Sequence, residues 1–227
     1  MTVKFRSDPA AYIASKIMGM SGKYGSHEIF TDWVKCLAIA ISNSSTLRRG
    51  KLWQDREKMY LDTINRYSYE ERMTLAQLTA DLTQALTDGL RDILGEIYMQ
   101  IGASSKSTGQ FFTPYSLSQC CAKMAVDNAI ADDGIYRFNE PSCGAGGMII
   151  ATADALRDKG INYQRQMDVV AQDIEWRCVY MCYIQLSLLG IKAICVQGDT
   201  LSRPYIPGQT PAENVLITPA KAGMFLY

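Results

Sequence analysis

The sequence predicts an α/β fold: an all-helical domain over residues 1–105, followed over residues 106–227 by a parallel sheet with crossover helices. Three observations predict it. Up to residue 105, apolar residues recur at helical spacing and no strand pattern is found. From Gly109 onward, short apolar strands alternate with helices in β-α-β-α-β order, which calls for parallel pairing with crossovers. A glycine-rich turn, Cys143-Gly144-Ala145-Gly146-Gly147, follows the first strand and opens a helix.

The helical part is read in four segments. Ile29, Trp33, Cys36, Leu37 and Ile41 mark one helix, with Ser26 or Thr31 as its cap and the Ser42-Asn43-Ser44-Ser45 stretch as its end. Leu52 to Tyr67 and Tyr69 to Leu86 follow as amphipathic helices, broken at Gly50 and Ser68. Leu90 to Ile101 is a last helix, closed by Gly102. The basic cluster Arg48, Arg49 and Lys51 reads as a solvated loop between helices, with a phosphate contact as the alternative.

In the second part, Tyr115 to Asn128 is a helix behind Pro114, and Gly134 to Asn139 a strand. An Ala-rich helix runs from Gly147 to Leu156 and stops at Lys159-Gly160. Met167 to Ala171 is the second strand, and Ile191 to Gln197 the third. Between them, Ile174 to Leu189 is apolar on nearly every face, which predicts burial against the sheet, and Gly190 ends it. Asn214 to Ile217 is a fourth strand.

Composition narrows the function. With 48% hydrophobic residues, 227 residues can build a core without disulfides or metals. Lys plus Arg and Asp plus Glu both number 23, so the formal net charge is zero. A stand-alone nucleic-acid binder shows a basic excess, so any DNA contact must come from a local patch or a partner. The seven cysteines form no C-x-x-C pair, and Cys178 and Cys182 read as buried core thiols. Free thiols and the lack of a signal peptide point to a reducing cytoplasm. The longest apolar runs, such as Cys36 to Ile41, are too short to span a membrane. A single histidine, His27, argues against a Ser-His-Asp triad and against a multi-histidine metal site, and no metal is expected.

The candidate site lies at the carboxyl ends of three successive strands, where open parallel sheets bind ligands. Glycines at the first strand end let the backbone turn tightly and approach a ligand, and the helix behind offers unpaired N–H groups. Asp173 closes the second strand, where an acid can accept both hydroxyls of an adenosine ribose. Asp199 closes the third, in Gly198-Asp199-Thr200-Leu201, where it can accept from an adenine amino group. A turn of this kind also suits a dinucleotide phosphate, and each carboxylate also suits an ordinary cap.

At this point the sequence resembles a family. Gly109-Gln110-Phe111-Phe112-Thr113-Pro114 resembles the G-Q-F-[FY]-T-P segment of N6-adenine DNA methyltransferases, in particular the methylation subunits of type I restriction–modification systems. Glu140-Pro141-Ser142-Cys143-Gly144-Ala145-Gly146-Gly147 is similar to their D-P-[AS]-C-G-[ST]-G-G loop. Ala171-Gln172-Asp173-Ile174 and Gly198-Asp199-Thr200-Leu201 resemble the next two strand ends. The resemblance implies a Rossmann-like methyltransferase domain that uses S-adenosylmethionine, behind a helical domain. It places Phe112, Thr113 and Pro114 along the methionine part of that molecule. Glu140 and the backbone of Ser142, Cys143, Gly144 and Gly146 would hold the amino-acid portion, Asp173 the ribose and Asp199 the adenine. Implied too are methyl transfer to N6 of a flipped adenine in DNA and partner subunits of a restriction–modification system.

One motif departs from the pattern. The family carries [DNS]-P-P-[YFW] at the end of the fourth strand, but here the stretch reads Thr218-Pro219-Ala220-Lys221. Thr218 and Pro219 are therefore candidates for a degenerate catalytic position. Thr218 lacks a carboxylate or amide oxygen, and Lys221 lacks a face on which to stack a base. The family's sheet has seven strands, so this one is expected to be incomplete, with its fourth strand at or near an edge and open to pairing with another chain. The alternatives to an active methyltransferase are a catalytically inactive cofactor-binding or partner-binding module of a restriction–modification or mobile-element system, a methyltransferase for another substrate, or a dinucleotide-binding protein.

Overall fold

The computed structural model describes residues 8–46, 48–103, 112–126 and 131–224. The predicted boundary near 105, Gly109-Gln110-Phe111 and the end of the chain from Phe225 lie outside the described residues. Five helices come first: α1 (Pro9–Gly19), α2 (Ser26–Ser44), α3 (Lys51–Ile64), α4 (Tyr69–Thr87) and α5 (Ile93–Ala103). Then follow α6 (Tyr115–Ala125), β1 (Tyr136–Glu140), α7 (Gly147–Asp158), the short α8 (Tyr163–Gln166), β2 (Met167–Asp173), α9 (Trp176–Leu188), β3 (Lys192–Gln197), a 3-10 turn (Ala212–Asn214) and β4 (Val215–Ile217). The α/β class is as predicted.

Most boundaries have local causes. Ser68 accepts from the Glu71 N–H while the Glu71 carboxylate accepts from the Ser68 N–H, a capping box that starts α4. Asp8 caps α1 through the Ala11 N–H, and Pro9 follows at the first helical position. That helix was not read from the sequence. The cap of α2 is Gly25, not Ser26 or Thr31; both lie inside the helix, and the Thr31 hydroxyl donates to the His27 carbonyl. Helix α5 begins three residues later than the Leu90 start, and Gly102 is inside it.

Among the described residues one core runs from Ala10 in α1 to Leu216 in β4. Helix α9 explains its own all-round apolarity: β2 and β3 cover one side, and α2, α4 and α5 the other. Met167, Val169, Ala171, Ala193 and Cys195 form the fully buried row of the sheet. Cys178 and Cys182 are buried in α9, as expected of core thiols.

The sheet order is β1-β2-β3-β4. β1 pairs with β2 in parallel, as does β2 with β3, with Glu140 opposite Ala171 and Asp173 opposite Gln197. The fourth strand corrects the all-parallel expectation: β4 runs antiparallel to β3, with Val215 opposite Val196 and Ile217 opposite Ile194. The 17 residues of Gly198–Asn214 between them hold Pro204, Pro207 and Pro211 and no α-helix. Without a crossover helix to carry the chain back, it re-enters the sheet from the end where it left. β4 does lie at an edge of the sheet.

Candidate functional site

β1, β2 and β3 deliver three loops to one end of the sheet, and hydrogen bonds tie the loops together. The Cys143 N–H donates to the Gln172 carbonyl at 2.9 Å, which draws the glycine turn onto the end of β2. The Gly144 N–H donates to Asp173 Oδ2 at 2.9 Å, and the Glu175 N–H to Asp173 Oδ1 at 3.0 Å. The Thr200 hydroxyl donates to the Pro141 carbonyl at 2.6 Å, joining the third loop to the first. Gln172 donates to the Arg203 carbonyl and accepts from the Tyr205 N–H, which fixes the exit of the third loop.

The glycine turn needs its glycines at two positions. Gly144 has φ +51°, and a Cβ there would lie 3.1 Å from the Phe112 ring. Gly146 has φ +96° and sits at the N-terminus of α7, where no side chain caps the helix. A Cβ on it would lie 3.2 Å from Cys182 Sγ. The uncapped helix start leaves N–H groups for an anion. Phe112 is held over the turn by Tyr98 of α5, with ring centroids 5.1 Å apart.

Between these parts is a cleft of about 220 Å³, lined by Phe112, Thr113, Glu140, Ser142, Gly144 and Gly147, among others. Burial raises the Glu140 carboxyl above its usual range, against the Ser142 N–H, which favours the charged form. A second cleft of about 330 Å³ opens past the end of β3, lined by Gly198, Ser202, Arg203 and Asn214.

Phe112, Thr113, Glu140, Ser142, Cys143 and Gly144 all line the 220 Å³ cleft. Pro114 adjoins it as the N-cap of α6, and Gly146 as the N-cap of α7. Asp173 is 9% exposed and braces the glycine turn from below. Asp199 is on the surface, where the Ser202 hydroxyl and the Leu201 N–H hold its carboxyl below the usual range. It accepts from both, as a turn cap would.

Thr218 and Pro219 are not brought to this end. Because β4 is antiparallel, Thr218 lies opposite Ala193, at the amino end of β3. That is five residues from Gly198, or about 16 Å along the strand. Thr218 is fully buried; its hydroxyl donates to the Ile191 carbonyl at 2.8 Å and accepts from the Ala193 N–H at 2.9 Å. Lys221 pairs with Asp168 at the start of β2, again at the amino end.

Asp92, Ser118 and Met148 also line the cleft and were not read from the sequence as site residues. Of these, Asp92, just before α5, is 5% exposed. Its signal was a glycine in the first turn of a helix, Gly95, where a Cβ would strike the Asp92 carboxyl at 2.2 Å.

A family model described as N-6 DNA methylase matches residues 89–220. Among solved structures, the type I restriction–modification system methyltransferase subunit from Streptococcus thermophilus matches with 15% identity and a TM-score of 0.44, over 84% of this chain and 43% of that one. A DrdV–DNA complex matches with 14% identity and a TM-score of 0.41, over 95% of this chain and 24% of that one. The chain thus spans less than half of either relative. No curated protein matches. Among the described residues, no helix is long and apolar enough to cross a membrane.

Proposed function

Since the chain belongs to the N-6 DNA methylase family, we propose that it binds S-adenosylmethionine at the carboxyl ends of β1, β2 and β3 and serves methyl transfer to N6 of adenine in DNA. The observation that carries this reading is the convergence of the Phe112 segment, the left-handed glycine turn and the uncapped start of α7 on one polar cleft. Whole-ligand pockets run from about 300 Å³ upward, so the 220 Å³ cleft takes one end of the molecule. Its polar backbone suits the amino-acid end, with the carboxylate on the N–H groups of α7 and Thr113, Pro114, Glu140 and Ser142 around it. The nucleoside then extends across Asp173 toward Asp199. Each oxygen of Asp173 accepts one N–H and keeps a second lone pair for a ribose hydroxyl. Ile174 and Leu201, 63% and 95% exposed beside those two acids, offer apolar faces to the adenine ring.

Bound there, S-adenosylmethionine supplies an electrophilic methyl group on a sulfonium. The chain's own part is to bind and orient the donor. The acceptor amino group needs a hydrogen-bond acceptor near that methyl, and Thr218, bonded into the sheet at its other end, does not supply it. This favours a second reading, in which the segment is a cofactor-binding module and the catalytic acceptor comes from elsewhere. Partner subunits of a restriction–modification system, or a second copy pairing at a sheet edge, are the sources that fit. A helical unit over 1–105, a cofactor unit over 106–227 and a cytoplasmic setting are part of this proposal.

Calorimetric titration with S-adenosylmethionine, with NAD as control, tests the site. Binding of S-adenosylmethionine alone is the expected result; binding of NAD alone refutes it. Transfer of labelled methyl to adenine-containing DNA by the chain alone would refute the second reading.

A further inference from the structure

The Asp92 carboxylate has two oxygens with different lives. Oδ1 accepts from the Gly95 N–H at 2.9 Å, which makes Asp92 the N-cap of α5, and from Gln185 Nε2 at 2.8 Å. Oδ2 has no hydrogen-bond partner among the described residues, although the side chain is 95% buried by its 5% exposure. An N-cap alone needs neither burial nor a second oxygen in a cleft. Room for Oδ2 is made on purpose by two glycines from different elements. A Cβ on Gly95 would lie 2.2 Å from Oδ2, and a Cβ on Gly147, the first residue of α7, 2.9 Å from it. The oxygen thus sits beside the α7 N-terminus, on the wall of the 220 Å³ cleft.

Gln185 of α9 locks this geometry. It is fully buried, and besides holding Oδ1 it donates to the Ala145 carbonyl at 2.8 Å and accepts from the Leu94 N–H at 3.1 Å. One side chain therefore fixes the carboxyl, the glycine turn and the start of α5 relative to each other. Burial raises the Asp92 carboxyl above its ordinary range, and no cation among the described residues offsets it.

We propose that Asp92 Oδ2 receives the α-ammonium group of S-adenosylmethionine, with Gln185 as the positioning residue. The α-carboxylate then faces the N–H groups of α7, so that one zwitterion is read by a carboxylate and a helix N-terminus side by side. This rests on the site reading above and adds to it the recognition of a free amino acid end.

The experiment compares three ligands by calorimetry: S-adenosylmethionine, its analogue with hydrogen in place of the amino group, and 5′-methylthioadenosine, which has no amino-acid portion. On the unaltered chain, loss of the amino group is expected to weaken binding about 10- to 100-fold, the range for a hydrogen bond to a charged group. Asp92→Asn keeps Oδ1 and the cap but turns Oδ2 into a donor. It is expected to weaken S-adenosylmethionine by a similar factor, to leave the desamino analogue within about twofold, and to leave 5′-methylthioadenosine unchanged. Indifference of the unaltered chain to the amino group overturns the assignment, whether or not the variant folds. An equal loss for all three ligands in Asp92→Asn also overturns it, since that is the mark of a merely structural residue. If the unaltered chain binds neither S-adenosylmethionine nor 5′-methylthioadenosine, the site reading itself falls and the assignment with it.

Discussion

Replacing Gly95 by Ala should destabilise the chain, and the sign of the effect should reverse when Asp92 is removed. The added Cβ would lie 2.2 Å from Asp92 Oδ2, 2.7 Å from Cγ and 2.8 Å from Oδ1. The flexible end of a surface side chain would move away, but this carboxyl is 5% exposed and held by Gln185. Overpacking of that kind costs about 1–3 kcal/mol. Displacing the carboxyl also strains its bond from the Gly95 N–H. Against this, Ala is favoured over Gly in a helix by up to about 1 kcal/mol. The net expectation is a loss of about 1–2 kcal/mol, at about 2–4 °C in melting midpoint for each kcal/mol in a chain of this size. In an Asp92→Ala background the obstacle is gone and only the helix preference is left. There Gly95→Ala should raise the midpoint by an amount worth about 0.5–1 kcal/mol. Four proteins and one thermal-denaturation assay complete the cycle. Equal losses in both backgrounds would refute the claim that Asp92 is what requires a glycine at 95.

Thr218→Val should cost about 1–3 kcal/mol by urea denaturation, because the buried Ala193 N–H loses its acceptor, while S-adenosylmethionine affinity stays the same. Loss of affinity without loss of stability would return Thr218 to the site. Gly144→Ala should weaken S-adenosylmethionine at least tenfold, since L-residues resist φ +51° by about 1–2 kcal/mol and the new methyl presses on Phe112; unchanged calorimetry would remove the turn from the site. Stability should also depend on pH through Asp92, whose folded carboxyl is raised by burial. The folded chain then binds more protons than the unfolded one between the ordinary value, 3.8, and the raised one. Its contribution to stability is therefore full below that window and falls as pH rises through it. Asp92→Asn should lack this decline, so a difference between the two proteins that stays flat from acid to neutral pH would contradict the burial argument.

How far the sequence could be read depended on whether a feature is written locally. Ser68 with Glu71, Gly190 and the glycine turn each act within a few residues, and each marks a boundary in the fold. Glu140, Ser142, Cys143 and Gly144 of the 220 Å³ cleft were legible for the same reason: they form one short run at a strand end. Asp173 was legible as an acid at a strand end, but its grip on the Gly144 N–H depends on a contact 29 residues away in sequence. Asp92 was not legible, because its meaning comes from Gln185, 93 residues later. The direction of β4 was hidden by its length: three residues carry an apolar pattern but no orientation. The better clue was the loop before it, since Pro204, Pro207 and Pro211 forbid the helix that a parallel return commonly uses.

That strand direction separates two tasks that one motif order would otherwise place together. The glycine turn, Asp173 and Asp199 all depend on the carboxyl ends of β1, β2 and β3, where parallel strands bring loops to one side. Residues 218–221 follow the fourth strand, so the end of the sheet they reach is decided by its direction alone. Turning β4 around would break the bonds of Thr218 with Ala193 and Ile191 and the pairing of Leu216 with Cys195, all of them buried. It would also release Lys221 from Asp168, a half-exposed pair that contributes less than about 1 kcal/mol. The antiparallel arrangement is therefore held by the buried threonine rather than by the lysine. Thr218 has a structural reason not to be aspartate: a carboxylate there would face the Ile191 carbonyl, to which the hydroxyl now donates. An aspartate at 218 would thus destabilise β4, and under the proposed function an acceptor for the adenine amino group would come from outside this strand.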